Sequence, residues 1–318
     1  MHKLLIIDGN ALLHRAYHAY PPLTNPKGEM INVVFGFFSM VLTVYAEHKP
    51  DHIVVCFDRG APTFRMTMYA GYHADRGKME DDFAAQLPFV YDILEKAKIP
   101  MYGLDGYEAD DLIGTIAHNV GGQKQAEVLI VTGDRDLLQL VNSHVKVLMP
   151  VNGFSKTLLF DEKAVEEKYG VHSKQFIDYK ALIGDASDGY PGVTGIGPKS
   201  AAKLLQEFGT FENLYKNLPL VPEKTAVKLA TDAEQAALAK KLATIVTDAP
   251  ITFNLKACDV SSFDLEALRS AFVEQGFKSL LTRLDTLFGP SLASAKQNMK
   301  EEKVIAKEKE SSDQLELL

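Results

Sequence analysis

Residues 128–136 read VLIVTGDRD, a short apolar run followed by Thr-Gly and two aspartates. The same pattern occurs twice nearer the N-terminus, where LLII precedes Asp8 and IVVCF precedes Asp58. Short apolar runs rich in β-branched residues are typical of the buried strands of a parallel sheet. In such a sheet, ligands bind outside the carboxyl ends of the strands. We therefore expect these acids to share one edge of a sheet.

Further acids lie where a strand ends or a helix begins, which makes nine carboxylates candidates for one site. They are Asp8, Asp58, Glu108, Asp110, Asp111, Asp134, Asp136, Asp185 and Asp188. Acids gathered this closely repel one another unless cations lie among them. The pattern predicts a site for two or more divalent metal ions, and hence a metal-dependent reaction at phosphate.

Each acidic cluster also has a simpler interpretation when it is taken alone. Asp8 and Asp58 suit the first position of a helix, where a carboxylate accepts backbone hydrogen bonds. The three acids within 108–111 exceed what one helix start requires, which favours metal binding there. Asp134 and Asp136 suit a metal site, but also a phosphatase that uses an aspartate as nucleophile. The joint occurrence of the clusters indicates metal binding.

The net charge of −8 is uninformative about the partner. The chain has 42 Asp+Glu and 34 Lys+Arg, and without the nine candidate acids the balance is 33 against 34. The acidity is therefore concentrated in one predicted site that metal ions would neutralise. An acidic chain of this kind remains compatible with nucleic-acid binding, because the distribution of charge matters more than its sum.

Cysteine usage and hydrophobicity indicate the compartment. Cys56 lies within an apolar strand, which favours a buried reduced thiol over a disulfide with Cys258. No run approaches the roughly 18 apolar residues of a membrane span, and the four apolar residues before Asp8 are too few for a signal peptide. We expect a cytoplasmic monomer with no membrane partner.

Strand and helix patterns alternate in the first half of the chain, which predicts an α/β domain over residues 1–160 with a central, mostly parallel sheet flanked by helices. The strands are expected at 3–7, 52–57, 127–131 and 145–149, with helices at 33–48, 82–97 and 108–120. Helical periods separated by Gly and Pro predict an all-helical region over 161–288. Residues 289–318 mix Lys and Glu with few large apolar residues, so we expect a disordered tail.

PGVTGIGPKSAA at 191–202 precedes a helix and leaves backbone amides free at its N-terminus. No strand precedes it, and Ser200 replaces the third glycine of a dinucleotide-binding turn. The segment suggests a hairpin between helices that binds a nucleic-acid backbone without reading bases. An ordinary Gly-rich connection is the alternative. The residues expected to contact phosphates are Gly195, Gly197, Lys199 and Lys203.

PTFRMTMYAGYHADRGK at 62–78 interleaves basic and aromatic residues. This composition suits a nucleic-acid strand, through phosphate charge and base stacking. Taken alone, the segment is more simply interpreted as a solvated loop with a few packing aromatics. The candidates for nucleic-acid contact are Arg65, Tyr72, His73, Arg76 and Lys78.

Taken together, six motifs resemble the bacterial 5′-nuclease family, the flap endonuclease-like exonucleases found at the N-terminus of DNA polymerase I and as free-standing proteins. The motifs are DGN at 8–10, PTFR at 62–65, YEADD at 107–111, TGDRD at 132–136, GDASD at 184–188 and PGVTGIGPKSA at 191–201. The resemblance extends in the same order from about residue 3 to 285. It implies a PIN-like core, a helical arch at about 60–95 and a helix–three-turn–helix that holds duplex DNA.

The resemblance also implies cofactors and roles. Mg²⁺ or Mn²⁺ would bind at two sites, and K⁺ often binds the helix–three-turn–helix. The first metal would be surrounded by Asp8, Asp58, Glu108 and Asp110. The second would be served by Asp134, Asp136, Asp185 and Asp188. Asp111 would lie close by, and Arg76 would act from the arch.

The implied activity is that of a 5′→3′ exonuclease and structure-specific flap endonuclease in DNA replication and repair. Its substrates would be 5′ flaps, nicked or single-strand-ended duplexes and RNA-primer 5′ ends. Two positions depart from the family pattern. His73 replaces the usual arch lysine and is followed by Asp75, and Gly189 stands where the family usually has asparagine.

Three alternatives to a free-standing nuclease remain open at this point. The chain could be the N-terminal nuclease part of a DNA polymerase I, although its polar tail favours the free-standing form. A PIN-type RNA nuclease would share the acidic core, but small PIN domains lack the hairpin of residues 195–203. A catalytically silent DNA-junction binder would not require all nine acids.

Overall fold

The computed structural model describes residues 2–74, 77–151 and 156–289. Its strands are β1 (Lys3–Asp8), β2 (His52–Cys56), β3 (Met101–Tyr102), β4 (Glu127–Val131), β5 (Val145–Val151), β6 (Lys156–Phe160), β7 (Gly184–Asp185) and β8 (Tyr190–Pro191). Its helices are α1 (Gly9–Ala19), α2 (Asn32–His48), α3 (Phe64–Met68), α4 (Asp81–Ala84), α5 (Leu87–Lys96), α6 (Ala109–Gly122), α7 (Glu162–Tyr169), α8 (Phe176–Ile183), α9 (Pro198–Phe208), α10 (Phe211–Lys216), α11 (Glu223–Thr231), α12 (Ala233–Ala243), α13 (Leu265–Glu274) and α14 (Lys278–Phe288).

The central sheet has the strand order β3-β2-β1-β4-β5-β6 in the part of the chain that the structure describes. The first five strands are parallel, and β6 pairs antiparallel with β5. β1 lies between β2 and β4, with Ile7 opposite both Val55 and Val131. The chain therefore leaves β1, β2 and β4 at the same edge of the sheet, as the sequence predicted.

Alternate residues of the strands fill two separate cores. Leu4 and Ile6 of β1 face α6 and the helices that follow β6, whereas Leu5 and Ile7 face α1, α2 and α5. Side chains along a strand point to opposite faces in turn. Because both faces are covered by helices, the strands are apolar throughout, which is why they were recognisable in the sequence.

The region after β6 is mainly helical, as predicted, but two details differ. β7 and β8 form a two-residue antiparallel hairpin that places the GDASD segment. α13 and α14, expected to belong to the helical region, pack instead on the α1–α2 face of the sheet. Phe272 contacts Phe38 there, with ring centroids 5.3 Å apart, and Arg283 donates to the Ser39 carbonyl oxygen at 3.1 Å.

The helix expected at 82–97 is divided in two. α4 ends at Ala84 and α5 begins at Leu87 with Pro88 in its first turn. Proline lacks an amide hydrogen and is tolerated in the first turn of a helix but not in its interior. The short antiparallel β6 and the two-residue β3 are further elements that the sequence did not predict.

Both cysteines are buried free thiols, which confirms the prediction of a reduced Cys56. Within the described ranges, none of the helices combines the length and apolar character needed to cross a bilayer. Asp75, Arg76 and all but the first residue of the predicted tail at 289–318 lie outside the described residues.

Candidate active site

Asp8 is the last residue of β1 and also the N-cap of α1. Its Oδ1 accepts the Ala11 amide at 3.0 Å, and its Oδ2 accepts the Thr132 hydroxyl at 2.6 Å. Asp8 is thus a helix cap, as its position alone suggested, and its carboxylate also lies among the acids of the candidate site. Burial raises the pKa of Asp8 to about 7, despite these hydrogen bonds, with the charges of Asp134 and Asp58 adding to the effect.

Asp58, in the loop after β2, and Asp110, in the first turn of α6, lie at the same end of the sheet as Asp8. Asp58 accepts the Ala109 amide at 2.7 Å and thereby fixes the start of α6. Asp110, the next residue, is surrounded by acids. Burial and the charges of Asp134 and Asp8 raise the pKa of Asp110 well above its usual range.

Asp134 and Asp136 follow β4 and approach the acids of the β7–β8 hairpin. Asp134 accepts the Asp136 amide at 2.8 Å. Carboxylate oxygens of Asp136, Asp185 and Asp188 lie within 4.8 Å of one another, a spacing that could hold one metal ion. Burial and the neighbouring Asp134 raise the pKa of Asp136 to about 7. The expected second set of acids is thus brought together.

Lys180 is a site residue that the sequence analysis missed. It lies in the last turn of α8 and is only 6% exposed. Its ammonium group is 2.5 Å from Asp136 Oδ1 and also donates to Asp185. Burial opposes ionisation of Lys180, but these carboxylates raise its pKa above the ordinary value. Its position five residues before Asp185 was the only signal available.

Glu108 is the N-cap of α6, and its side chain lies at the candidate site. Its two carboxylate oxygens accept the hydroxyls of Thr63 at 2.9 Å and Tyr72 at 3.0 Å. Arg65 Nη1 lies 3.3 Å from Glu108 Oε2. Burial raises the pKa of Glu108 although these groups lower it. Tyr72, expected to contact nucleic acid, is instead buried as a hydrogen-bond donor to Glu108.

Arg65, expected to contact nucleic acid, and Asp111, expected to lie close to the metals, bind each other inside the protein. Arg65 is 2% exposed and Asp111 is 0% exposed. Two guanidinium nitrogens of Arg65 donate to the two carboxylate oxygens of Asp111, each at 2.8 Å. The same oxygens accept the backbone amides of Glu108 and Val246. The hydrogen bonds of both side chains are therefore made to groups inside the protein.

His73 ties the first part of the expected arch to the GDASD segment. Its amide donates to the Asp188 carbonyl oxygen at 2.9 Å, and its Nε2 lies 3.1 Å from Asp188 Oδ1. Its ring stacks on Tyr72 at 3.9 Å. Lys78, by contrast, has an 89% exposed side chain near Asp81. Arg76, the expected catalytic residue of the arch, lies outside the described residues.

The departure at Gly189 has a steric explanation. Gly189 has a φ of +79°, a region that glycine adopts far more readily than other residues. A Cβ atom built there would lie 2.5 Å from the carbonyl oxygen of Gly71. An asparagine at this position would therefore require the segment around Gly71 to move away. Glycine permits the close approach that places His73 against Asp188.

The expected phosphate-binding hairpin connects β8 to α9. Gly195 has a φ of +74°, and Gly197 is the N-cap of α9. Lys199 and Lys203 are exposed on the first two turns of α9, whose opposite face is buried. The Gly195 carbonyl oxygen accepts the Lys228 ammonium at 3.1 Å. The hairpin thus presents two cations and an open helix N-terminus.

Residues 3–170 match the family model of the 5′-3′ exonuclease N-terminal, resolvase-like domain, and residues 171–266 match that of the 5′-3′ exonuclease C-terminal SAM fold. The chain belongs to the 5′-3′ exonuclease family. The resemblance recognised in the six motifs is thereby confirmed.

The relatives of this 5′-3′ exonuclease family member include DNA polymerases. The chain is 40% identical over 287 residues to DNA polymerase I of Caldicellulosiruptor bescii, covering 89% of this chain and 33% of the relative. It is 38% identical over 307 residues to DNA polymerase I of Bacillus subtilis, covering 96% of this chain and 34% of the relative. The chain spans about a third of the length of these curated relatives.

Solved structures share the fold. A T5 5′-exonuclease with bound zinc is 21% identical with a TM-score of 0.64, covering 90% of this chain and 98% of that chain. The catalytic core of Rad2 in complex with a DNA substrate is 18% identical with a TM-score of 0.57, covering 89% and 92%. The predicted fold class, a mostly parallel sheet followed by a helical region, is confirmed.

The raised carboxylate pKa values predict how the metal-free protein responds to pH. Asp8 and Asp136 have a pKa of about 7 in the folded chain against an ordinary value of 3.8. The folded state therefore binds more protons than the unfolded state between about pH 4 and 7, so the free energy of unfolding should decrease as pH rises through that window. Urea unfolding in EDTA at pH 5 and pH 8 measures this effect.

Two comparisons test that interpretation. Asp136→Asn should flatten the pH dependence, whereas the exposed control Asp248→Asn should leave it unchanged. Mg²⁺ should stabilise the wild type more at pH 8 than at pH 5. A metal-free protein that is more stable at pH 8 than at pH 5 would contradict the assignment of a crowded carboxylate site.

The Arg65–Asp111 pair predicts a large and non-additive loss of stability. Removing one partner of a buried ion pair typically costs about 3–5 kcal/mol, because the other charge stays buried without compensation. We expect Arg65→Met and Asp111→Asn each to lower the free energy of unfolding strongly, and the double variant to lose less than their sum. Urea denaturation of the four proteins measures the coupling. Additive losses would show that the two residues act independently.

Proposed function

We propose that this chain is a Mg²⁺- or Mn²⁺-dependent 5′→3′ exonuclease and structure-specific flap endonuclease that hydrolyses DNA phosphodiester bonds during replication and repair. The observation that carries the proposal is the convergence of acids from β1, β2, α6 and β4 with those of the β7–β8 hairpin. Family membership supports the reaction class. The related structures with bound zinc and with a DNA substrate support the cofactor and the partner.

The donor set fits hard divalent cations. The converging groups are carboxylates, and oxygen ligands are those that Mg²⁺ and Mn²⁺ prefer. Asp8, Asp58, Glu108 and Asp110 would hold one ion. Asp134, Asp136, Asp185 and Asp188 would hold a second. Divalent ions would also remove the electrostatic penalty that raises the carboxylate pKa values, so binding and ionisation are coupled.

When bound, the ions would supply a water of lowered pKa and neutralise charge developing on the scissile phosphate. The protein residues position these groups. Thr132 and the Ala11 amide orient Asp8, and the Ala109 amide orients Asp58. Lys180 holds Asp136 and Asp185 together and keeps a fixed positive charge beside them. We propose that Lys180 orients these acids and limits their repulsion.

A basic surface next to the acids would receive the DNA backbone. A cleft beside Asp134 and Asp188 is lined by Arg15 and Arg135, together with His14 and His18. Positive groups flanking a metal site suit the phosphates on either side of a scissile bond. None of these four residues was singled out from the sequence. Exposed Lys78 and, by resemblance, Arg76 would contact the 5′ strand from the arch.

The hairpin at 195–203 would bind the duplex part of the substrate. Exposed Lys199 and Lys203 and the open N-terminus of α9 suit phosphate oxygens, which carry no sequence information. The Gly195 carbonyl oxygen already accepts a hydrogen bond from the Lys228 ammonium, so a K⁺ ion that used this oxygen would have to share it with Lys228. Binding of K⁺ there remains a prediction from the resemblance.

The deciding experiment follows a 5′-labelled DNA flap, a nicked duplex and single-stranded RNA with Mg²⁺ and with EDTA. Cleavage of the DNA substrates with Mg²⁺ alone would support the proposal. Preferential cleavage of single-stranded RNA would favour the PIN-type alternative, and binding without cleavage would favour the silent DNA-junction binder. The monomeric state and action on RNA-primer 5′ ends also remain predictions.

Asp110→Ala should abolish most cleavage while leaving DNA binding largely unchanged, because it removes a metal ligand and no phosphate contact. We expect a loss of at least roughly 100-fold, since even residues that only orient metal ligands cost about 10–100-fold. Single-turnover cleavage of the flap and equilibrium binding measure the two effects. Wild-type turnover in Asp110→Ala would refute the assignment.

Lys199→Ala and Lys203→Ala should each weaken duplex binding equally for all base sequences. Each lost phosphate contact should reduce the slope of log affinity against log salt by about 0.9. Fluorescence anisotropy over a salt series measures the slope, with exposed Lys278→Ala on α14 as the matched control. A loss that depends on base sequence would mean that the hairpin reads bases.

A further inference from the structure

Two histidines and an aspartate meet at the end of the sheet opposite the acidic centre. His2 precedes β1, while Asp51 and His52 stand at the start of β2. The catalytic carboxylates follow the other ends of the same strands. Six residue steps of extended chain lead from His2 to Asp8, a distance of about 20 Å. The proposed nuclease site therefore does not include this cluster.

The three side chains offer ligand atoms at metal-binding spacing. One ring nitrogen from each histidine and one carboxylate oxygen of Asp51 lie within 4.8 Å of one another. His2 Nδ1 is 3.6 Å from Asp51 Oδ1, and the two imidazole rings meet edge to face at 5.6 Å. Asp51 Oδ2 is used by the Lys3 amide at 2.7 Å, which leaves Oδ1 toward the histidines.

The backbone holds this arrangement in place although the side chains of His2 and Asp51 are exposed. The His2 carbonyl oxygen accepts the Glu127 amide at 2.8 Å. The Asp51 amide donates to the Lys3 carbonyl oxygen at 3.0 Å, and the Asp51 carbonyl oxygen accepts the Val260 amide at 2.9 Å. The ligand-bearing residues are thus fixed to three different segments before any ion binds.

His52 supplies an independent observation. Its side chain is enclosed, with 8% of the residue exposed. Its Nδ1 is buried and has no hydrogen-bond partner among the described residues. A buried polar atom without a partner is uncommon, because it gives up its interaction with water without replacement. The His52 Nδ1 atom therefore lacks the hydrogen bond that a buried imidazole nitrogen usually has.

We propose that His2, Asp51 and His52 form a binding site for a borderline divalent transition metal ion of the Zn²⁺, Co²⁺ or Ni²⁺ class, separate from the nuclease centre. Two imidazoles and one carboxylate are the ligands such ions favour, whereas Mg²⁺ favours oxygen alone. Three protein ligands leave coordination positions for water. The bound ion would tie residue 2 to the start of β2, and through Val260 to the segment before α13.

The test uses the full chain with excess Mg²⁺, which occupies the carboxylate centre, and titrates Zn²⁺ calorimetrically. Among the Zn²⁺ binding steps of the wild type, one should be weakened by at least about 10-fold in both His2→Gln and Asp51→Asn, while the steps at the carboxylate centre stay unchanged. Neither change should affect folding, because His2 is exposed and asparagine keeps an acceptor for the Lys3 amide. His118→Gln, at an exposed position of α6, is the matched control and should change nothing.

A second measurement identifies the ligands. Pulsed electron paramagnetic resonance with one equivalent of Cu²⁺ should show coupling to imidazole nitrogens that diminishes in His2→Gln but persists in His73→Gln. Zn²⁺ should also raise the melting temperature of wild type more than that of His2→Gln. Identical Zn²⁺ isotherms for wild type, His2→Gln and Asp51→Asn would overturn the proposal, as would loss of the nitrogen coupling in His73→Gln alone.

Discussion

The repulsion among carboxylates at one edge of the sheet is the constraint on which the rest of this structure depends. Parallel pairing of β1 with β2 and β4 brings the ends of these strands together, where the charges of Asp134 and Asp58 act on Asp8. Burial removes water that would screen these charges, and it therefore raises the pKa values of Asp8 and Asp134. Amides at helix starts, hydroxyl groups and the ammonium of Lys180 offset part of the repulsion among the carboxylates. Divalent ions would offset the remainder.

The buried ion pair between Arg65 and Asp111 supports the side of the site. Arg65 comes from α3 and Asp111 from α6, and the Arg65 guanidinium also donates to the carbonyl oxygens of Leu242 and Thr244. The α/β core, the base of the arch and the end of α12 therefore meet at one guanidinium. Because these partners are far apart in sequence, the pair links the helical region to the edge of the sheet where the acids converge. Glu108, held by the same arginine, shares this support.

The segment around His73 and the acids of the β7–β8 hairpin are joined in a way that the family pattern did not suggest. His73 packs on Tyr72 and contacts Asp188, while Gly189 allows the backbone of Gly71 to approach closely. A lysine at position 73 would carry a charge beside Asp188, whereas the imidazole can act as a hydrogen-bond partner and a stacking surface. The two departures from the family pattern at 73 and 189 thus lie in one contact and have a common steric basis.

The sequence by itself determined the fold class, the strands that end in acids and the family, because uninterrupted apolar runs and closely spaced carboxylates are local signals. The spacing of the acids alone could not distinguish Asp111 from Asp110, although the family resemblance did, since adjacent acids on a helix point in different directions and only packing shows which one meets Arg65. Nor could the sequence place Lys180, whose partners come from other segments, or assign α13 and α14 to the α1–α2 face. Those choices depend on which surfaces meet, and long-range burial decides them in the tertiary structure alone.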